Sequence, residues 1–326
     1  MVIRMVPAFI LYAVLASVTH AADPSAPQYP GKPLRVIVPF AAGTAWDVRV
    51  RQLADTVSKS VGQPVVVENR PGAGGTLGAQ VVAKSPADGY TILAGGIAEL
   101  AVAPAVYATL SYDPRHDFAP ITQVVFGSMI LVVAPSLEVK SIEELVTLAK
   151  RQPGQLTAAS YGNGTLSHLL ITELGRTTGT NIVRVPYKSA PEALTDLVAG
   201  RVSMMFDFYT TSGQFIQTGK LRPLLVATAR RHRALPDTPT ASEVGLPTLT
   251  HQPWGGFLAP AGTPKPIIER LNREFVKAAL APSFKQSVEA AGADVVGSTP
   301  DEFAALIRKE QDDFVRLAKE SGVKLE

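Results

Sequence analysis

The sequence predicts an α/β protein of two lobes, each a mostly parallel sheet flanked by helices, with a ligand cleft between the lobes. Three observations lead there. Over residues 34–94, short β-branched runs alternate with helical patterns in the order βαβαβ. Near Ile121 the pattern changes, and a second alternating series runs to Thr228. After residue 249 the earlier style returns, with one strand and two helical stretches. The expected division is therefore residues 22–124 plus 249–326 in the first lobe and 125–248 in the second. A chain of 326 residues with 46% hydrophobic and 18% charged content has the material for two such cores.

The elements follow in order. Residues 34–38 (LRVIV) read as a buried strand. A helix over 47–60 places Val50, Leu53, Ala54 and Val57 on one face, Asp47 helps to start it, and Gly62 ends it. A second strand covers 64–68, and the glycine-rich PGAGGTLG turns into a helix near Ala79. Asp88-Gly89 then introduces a strand over 90–94 that ends in Gly95-Gly96. In the second series the strands are 130–134, 155–159, 181–185, 202–206 and 221–228. Ser141 and Glu144 form a capping box for the helix that ends near Arg151. The turn YGNGTLS leads into a helix reaching Leu174, and Gly200 ends another. In the last part, 254–259 is a strand, and Thr263 caps a helix with Ile267, Leu271 and Phe275 at i, i+4 spacing. Thr299, Pro300 and Glu302 start a final helix with Phe303, Leu306, Ile307 and Phe314 on its apolar side.

Residues 1–21 have the form of a secretory signal peptide. Arg4 gives the positive start, the apolar run 6–18 is too short to span a bilayer, and Thr19 and Ala21 suit the −3 and −1 cleavage positions. The expectation is an exported protein. Formal net charge is 31 − 28 = +3, and the charges are scattered without a basic stripe, which disfavours nucleic acid as a partner. Cysteine is absent, which excludes disulfides, thiol catalysis and Cys-ligated metals.

Ligands of open α/β sheets sit beyond the carboxyl ends of the strands, where helix N-termini offer free N–H groups to an anion. Two strand-to-helix turns fit this, one after residue 38 and one over 160–167. Within the first, Trp46 is a large aromatic among small residues, suited to stacking on a ring or walling the cleft. Glu99, shortly after Gly95-Gly96, could receive an ammonium or hydroxyl, or face solvent. Asp47 and Asp207 are read either as structural ends of a helix and a strand or as ligand contacts. His168 is the one histidine placed to line a cleft; His116, His232 and His251 are far apart and lack metal-ligand spacing. The 72–78 glycines do not make a nucleotide fingerprint, because GxGxxG from Gly72 would need glycine where Leu77 stands. They read instead as a tight turn with close helix packing. There is no GxSxG or HExxH, and no catalytic residue, metal or cofactor is expected.

VPFAAGTAWDVRVR, VVVENRPGAGG, DGYTIL, YDPRHDFAPITQV, YGNGTLSHLL, VPYKSAPEALTDLVAGRV, LPDTPTASEVGLP and WGGFLAPAGTPKPIIERLN together, and in order, resemble the substrate-binding proteins of tripartite tricarboxylate transporters, the Bug or TctC type. The resemblance covers about residue 29 to the C-terminus. It implies a two-lobed type II periplasmic binding protein, monomeric, that holds a small carboxylate (a dicarboxylate, tricarboxylate or aromatic acid) and delivers it to membrane permease subunits. A periplasmic partner of a membrane sensor kinase would use the same closure as a signal, and is the alternative. Carried onto this chain, the resemblance places the ligand at Phe40, Gly43, Thr44, Ala45, Trp46 and Asp47 in the first loop and at Tyr161, Gly162, Asn163, Gly164 and Thr165 in the second. Lys188, Ser189, Ala190 and Asp207 line the second lobe. The chain departs from the family pattern at Ala41 (proline), Thr44 (glycine), Trp46 (a small residue), Ser189 (glycine) and Glu99 (a small or hydroxyl residue), most of them on the expected cleft.

Overall fold

The structure is a computed structural model that describes residues 29–161 and 165–321. The signal-peptide reading of residues 1–21, and the site residues Gly162, Asn163 and Gly164, lie outside the described residues. The chain forms two sheets. The first has six strands in the order β11 (Asp294–Val295), β4 (Phe118–Phe126), β10 (Trp254–Pro260), β3 (Thr91–Gly96), β1 (Leu34–Val38) and β2 (Val65–Asn69). The second has five, in the order β7 (Val183–Pro186), β6 (Thr157–Ser160), β8 (Met204–Phe208), β5 (Met129–Val133) and β9 (Arg222–Val226).

Both sheets are mixed, where mostly parallel ones are expected from sequence. Strand β1 is parallel to β2 and β3, and β6 is parallel to β7 and β8. Strands β10 and β5 run antiparallel to both of their neighbours. The reason is topological. The strands β1, β3, β6 and β8 end at the cleft. A strand that has just crossed from the other lobe begins there, so it must run away from the cleft.

Helices cover the sheets. In the first lobe these are α1 (Ala45–Val61), α2 (Thr76–Ala83), α3 (Ala103–Val106), α8 (Lys265–Ala279), α9 (Pro282–Ala290) and α10 (Pro300–Ser321); in the second, α4 (Ile142–Arg151), α5 (Leu166–Thr178), α6 (Ala190–Val198) and α7 (Tyr209–Gln217). Period-2 alternation in β1 sends Leu34, Val36 and Val38 to one core with Val50, Leu53, Val57 and Phe275, and Ile37 to the other with Leu93, Leu258 and Phe303. The expected core of α10 is present, with Phe303, Ile307 and Phe314 buried and Leu306 packed at its margin. This helix also reaches the second lobe, where Arg176 of α5 pairs with Glu320 at 3.5 Å, and Phe314 stacks on His251 of the segment that crosses between the lobes.

Two helix starts differ from expectation. Thr44 rather than Asp47 is the N-cap of α1, because its hydroxyl accepts from the Asp47 N–H, while Asp47 sits in the first turn. Thr263 does not cap α8; its hydroxyl donates to the Pro260 carbonyl and Pro264 holds the cap position. The Ser141 cap is as expected, although Glu144 reaches back to Lys140 N–H rather than to Ser141.

The glycine-rich turn has a packing role, as the spacing suggests. A Cβ on Gly78 would lie 2.8 Å from Pro39 Cα and 3.0 Å from the Arg70 carbonyl oxygen. Its absence lets α2 press directly on the first residue of the loop after β1. Gly78→Ala is therefore expected to cost about 1–3 kcal/mol through overpacking. Urea denaturation measures this as a lowered midpoint at unchanged slope.

Candidate functional site

The carboxyl ends of β1 and β3 and the start of β10 face those of β6 and β8 and the start of β5 across a cleft. The chain crosses between lobes at Gly127–Ser128 and again through residues 227–253. The two crossings are joined where Gly127 N–H donates to the Pro253 carbonyl at 2.7 Å.

The loop from Pro39 to Thr44 is shaped by Asp47. This side chain is 2% exposed and accepts three hydrogen bonds. Oδ2 takes Gly43 N–H at 2.9 Å and Arg51 Nε at 3.1 Å, and Oδ1 takes Asn69 Nδ2 at 2.8 Å, with the Arg51 and Asn69 side chains themselves joined at 2.7 Å. The same Asn69 Nδ2 donates to the Phe40 carbonyl at 3.0 Å. Burial alone would raise the Asp47 pKa, but the bonds from Arg51, Gly43 and Asn69 and the Arg51 charge hold it below the usual range. Asp47 is thus a charged buttress inside the loop. Gly43, at φ +82°, makes the turn that brings its N–H onto this carboxylate.

This arrangement decides which N–H groups can meet an anion. The N–H of Gly43 is taken by Asp47, and that of Thr44 faces the Ala41 carbonyl at 3.4 Å. The first intrahelical bond of α1 runs from Val48 to Thr44, so the Ala45 and Trp46 N–H groups precede the ladder. Neither has an acceptor among the described residues. They lie at the positive end of a 17-residue helix, in a loop whose residues 41–45 are exposed.

Trp46 and Glu99 have definite places. The Trp46 indole N–H donates to the Ala94 carbonyl at 2.8 Å, and its ring lies over Gly255, where a Cβ would be 2.7 Å from the ring. The ring stays half-buried at the cleft end of the sheet. Glu99 is 0% exposed, within a π-helical turn over Ala98–Val102, and so neither faces solvent nor reaches into the open cleft. Its Oε1 accepts from Gly96 N–H, while Oε2 has no partner among the described residues and packs beside Gly75. Burial pushes its pKa up to about 8.

In the second lobe, Thr165 caps α5 as Thr44 caps α1, accepting from the N–H three residues on, here that of His168. Tyr161 N–H donates to Ser167 Oγ at 3.2 Å. The Tyr161 hydroxyl donates to buried Asp207, which also accepts from Thr211 at 2.7 Å. Burial raises the Asp207 pKa to about 6 in spite of these donors. The Tyr161 ring stacks on Phe208, with centroids 6.3 Å apart and planes within 7°. His168 is half-buried, and burial together with the Arg184 charge pushes its pKa down to about 4, so it is neutral at pH 7. Lys188 and Ser189 are exposed and Ala190 half-buried at the start of α6, where Ser189 occupies the N-cap without a side-chain bond.

Three contributors go beyond the residues read from sequence. Asn69 ties the loop to β2 from a position 22 residues away from Asp47. Arg51 completes the buttress, for which an acid and a base at i, i+4 were the available signal. Arg184 bonds Ser160 Oγ at 3.0 Å beside the second loop, and nothing in its strand marks it out.

The model of the family described as "Tripartite tricarboxylate transporter family receptor" matches residues 49–323. Protein BugT of Bordetella pertussis is 36% identical over 95% of this chain and 96% of its own length. The structure of R. palustris Rpa4515 with adipate superposes with a TM-score of 0.82 at 33% identity, covering 91% of this chain and 99% of that one. The periplasmic binding protein BugD gives a TM-score of 0.79 at 34% identity, covering 91% and 100%. The two mixed sheets flanked by helices are thus the two-lobed periplasmic-binding-protein fold.

The buried Glu99 carboxyl makes stability depend on pH. Its folded pKa of about 8 lies above the ordinary 4.5, so the folded state holds the proton more tightly. Its stabilising effect is complete below pH 4.5 and is lost as pH rises towards 8. Glu99→Gln removes that titration. The variant is expected to gain on the parent by about 2 kcal/mol or more between pH 5 and pH 8.5. Thermal denaturation of both proteins at the two pH values measures the gap.

Proposed function

The chain belongs to the tripartite tricarboxylate transporter receptor family, and from this we propose that it captures a small carboxylate between its lobes in the periplasm and passes it to membrane permease subunits. The observation that carries the reading is the pair of N–H groups of Ala45 and Trp46, unpaired among the described residues and aimed from a helix N-terminus at the cleft. A neutral peptide site of this kind suits a carboxylate, and the adipate held by the neighbour Rpa4515 is a ligand of that class. The second loop supports the same reading from the opposite side, with its Thr165-capped helix. Hinge closure about Gly127 and Pro253 would bring the two N-termini onto one ligand.

On this reading the protein is a receptor without catalytic residues, and Asp47 and Asp207 are structural. Each holds a loop or a ring rather than a reacting atom. The leader at residues 1–21 would direct export, and a monomer suffices for the binding step. The first lobe then comprises residues 22–124 and 249–326 and the second 125–248, with the closure axis at the crossings.

Two outcomes test this. The protein, refolded to remove carried-over ligand, should be stabilised by a carboxylate but not by its amide, for example by adipate and not adipamide. At a hundredfold excess over the dissociation constant the gain is about 2.7 kcal/mol. Absence of a thermal shift with any aliphatic di- or tricarboxylate, acidic amino acid or aromatic acid would refute the reading. Asn69→Ala, which releases the first loop from β2, should weaken binding about tenfold in calorimetric titration.

A further inference from the structure

We infer that the carboxylate is carried on a single flat aromatic ring rather than on a hydroxylated aliphatic chain. The inference rests on the capture reading above and names its ligand class. It comes from a juxtaposition of aromatic side chains at the hinge. In the first lobe, the half-buried Trp46 ring lies over Gly255, two residues beyond the crossing residue Pro253. In the second, Phe208 lies 3.7 Å from where a Cβ on the other crossing residue, Gly127, would sit. Tyr161 stacks parallel on that Phe208, and both rings keep part of their surface exposed. Gly127 and Pro253 are hydrogen-bonded to each other. One lobe therefore brings an indole, and the other a stacked phenol–phenyl pair, to the two sides of a single hinge point. The first of these faces stands directly beside the N–H groups of Ala45 and Trp46.

The polar groups argue the same way. The Trp46 N–H is spent on Ala94, and the Tyr161 hydroxyl on Asp207. Both Asp207 oxygens accept protein hydroxyls, the Asp47 carboxylate is filled by Gly43, Arg51 and Asn69, and the Thr44 hydroxyl donates to Ala41. Glu99 is sealed beneath the loop. The polar side-chain groups next to these rings are thus committed within the protein; among the described residues Lys188 and Ser189 stay exposed at the start of α6. Hydroxyls lying against these rings would be buried unpaired, whereas a planar ring meets π faces with their polar atoms already satisfied.

The test is calorimetric titration of the protein with benzoate, phthalate and terephthalate against cyclohexanecarboxylate, adipate, malate and citrate. The expected result is that at least one aromatic acid binds about tenfold or more tightly than its saturated counterpart and than the aliphatic acids. Trp46→Leu should erase most of that preference, weakening aromatic acids by a clearly larger factor than adipate. Adipate, malate or citrate binding as tightly as every aromatic acid would overturn the inference and leave carboxylate capture standing. So would an equal loss of aromatic and aliphatic affinity in Trp46→Leu. Failure of all seven acids to bind would overturn both. The ring-to-saturated-ring comparison in the parent protein needs no variant, so it stands even where Trp46→Leu does not fold.

Discussion

The site depends on one buried carboxylate. Asp47 is charged, almost wholly removed from solvent and bonded on both oxygens. Charge-assisted bonds of this kind are the strong ones, and leaving such a charge unpaired costs far more than a neutral group would. The loop therefore has one arrangement that satisfies Asp47. That arrangement turns the Gly43 N–H inward and leaves those of Ala45 and Trp46 facing out. A site made of backbone needs such a clamp, since a peptide group has no rotamer of its own to lock.

The clamp is tied to the rest of the fold through close packing. Asn69 connects it to the end of β2, which is in register with Val38 at the end of β1. From the other side, α2 lies against Pro39 because Gly78 has no side chain, and Glu99 fills the space between Gly75 and the end of β3. The loop is thus held by two neighbouring strands and one helix, while its own residues 41–45 stay exposed. Rigid lobes of this sort leave the crossings as the place for movement. Helix α10 links the two, anchored to the first lobe by Gln311 on the Leu100 carbonyl, to the crossing segment by Phe314 on His251 and to the second lobe by Glu320 on Arg176.

Much of this was legible from residues alone, and what was hidden has physical reasons. The β-branched runs at β1, β3 and β5, the core face of α1 and the purpose of the 72–78 glycines follow from periodicity and turn chemistry. The mixed direction of the sheets does not, because a strand's direction depends on where the chain re-enters a lobe and not on the strand's own residues. Thr44 and Asp47 stand three apart, the signature of a reciprocal cap, yet the spacing does not say which residue is the cap. Trp46 was conspicuous for its size, but its platform, Gly255, lies 209 positions away and carries no side chain to announce itself. Glu99 looks like a surface acid in sequence; only the three-dimensional packing of Gly75 and Gly95 against it makes it a buried one.

The central claim is that backbone N–H groups at the start of α1, held outward by Asp47, bind the carboxylate. Amide proton and nitrogen chemical shifts report on this atom by atom. In a titration of labelled protein with a carboxylate that binds, the Ala45 and Trp46 amides should shift downfield by more than those of Gly43 and Val48, which are already bonded within the loop and helix. Ala45 and Trp46 amides that stay in place while the ligand saturates would contradict the account, and would move the anion to another part of the cleft.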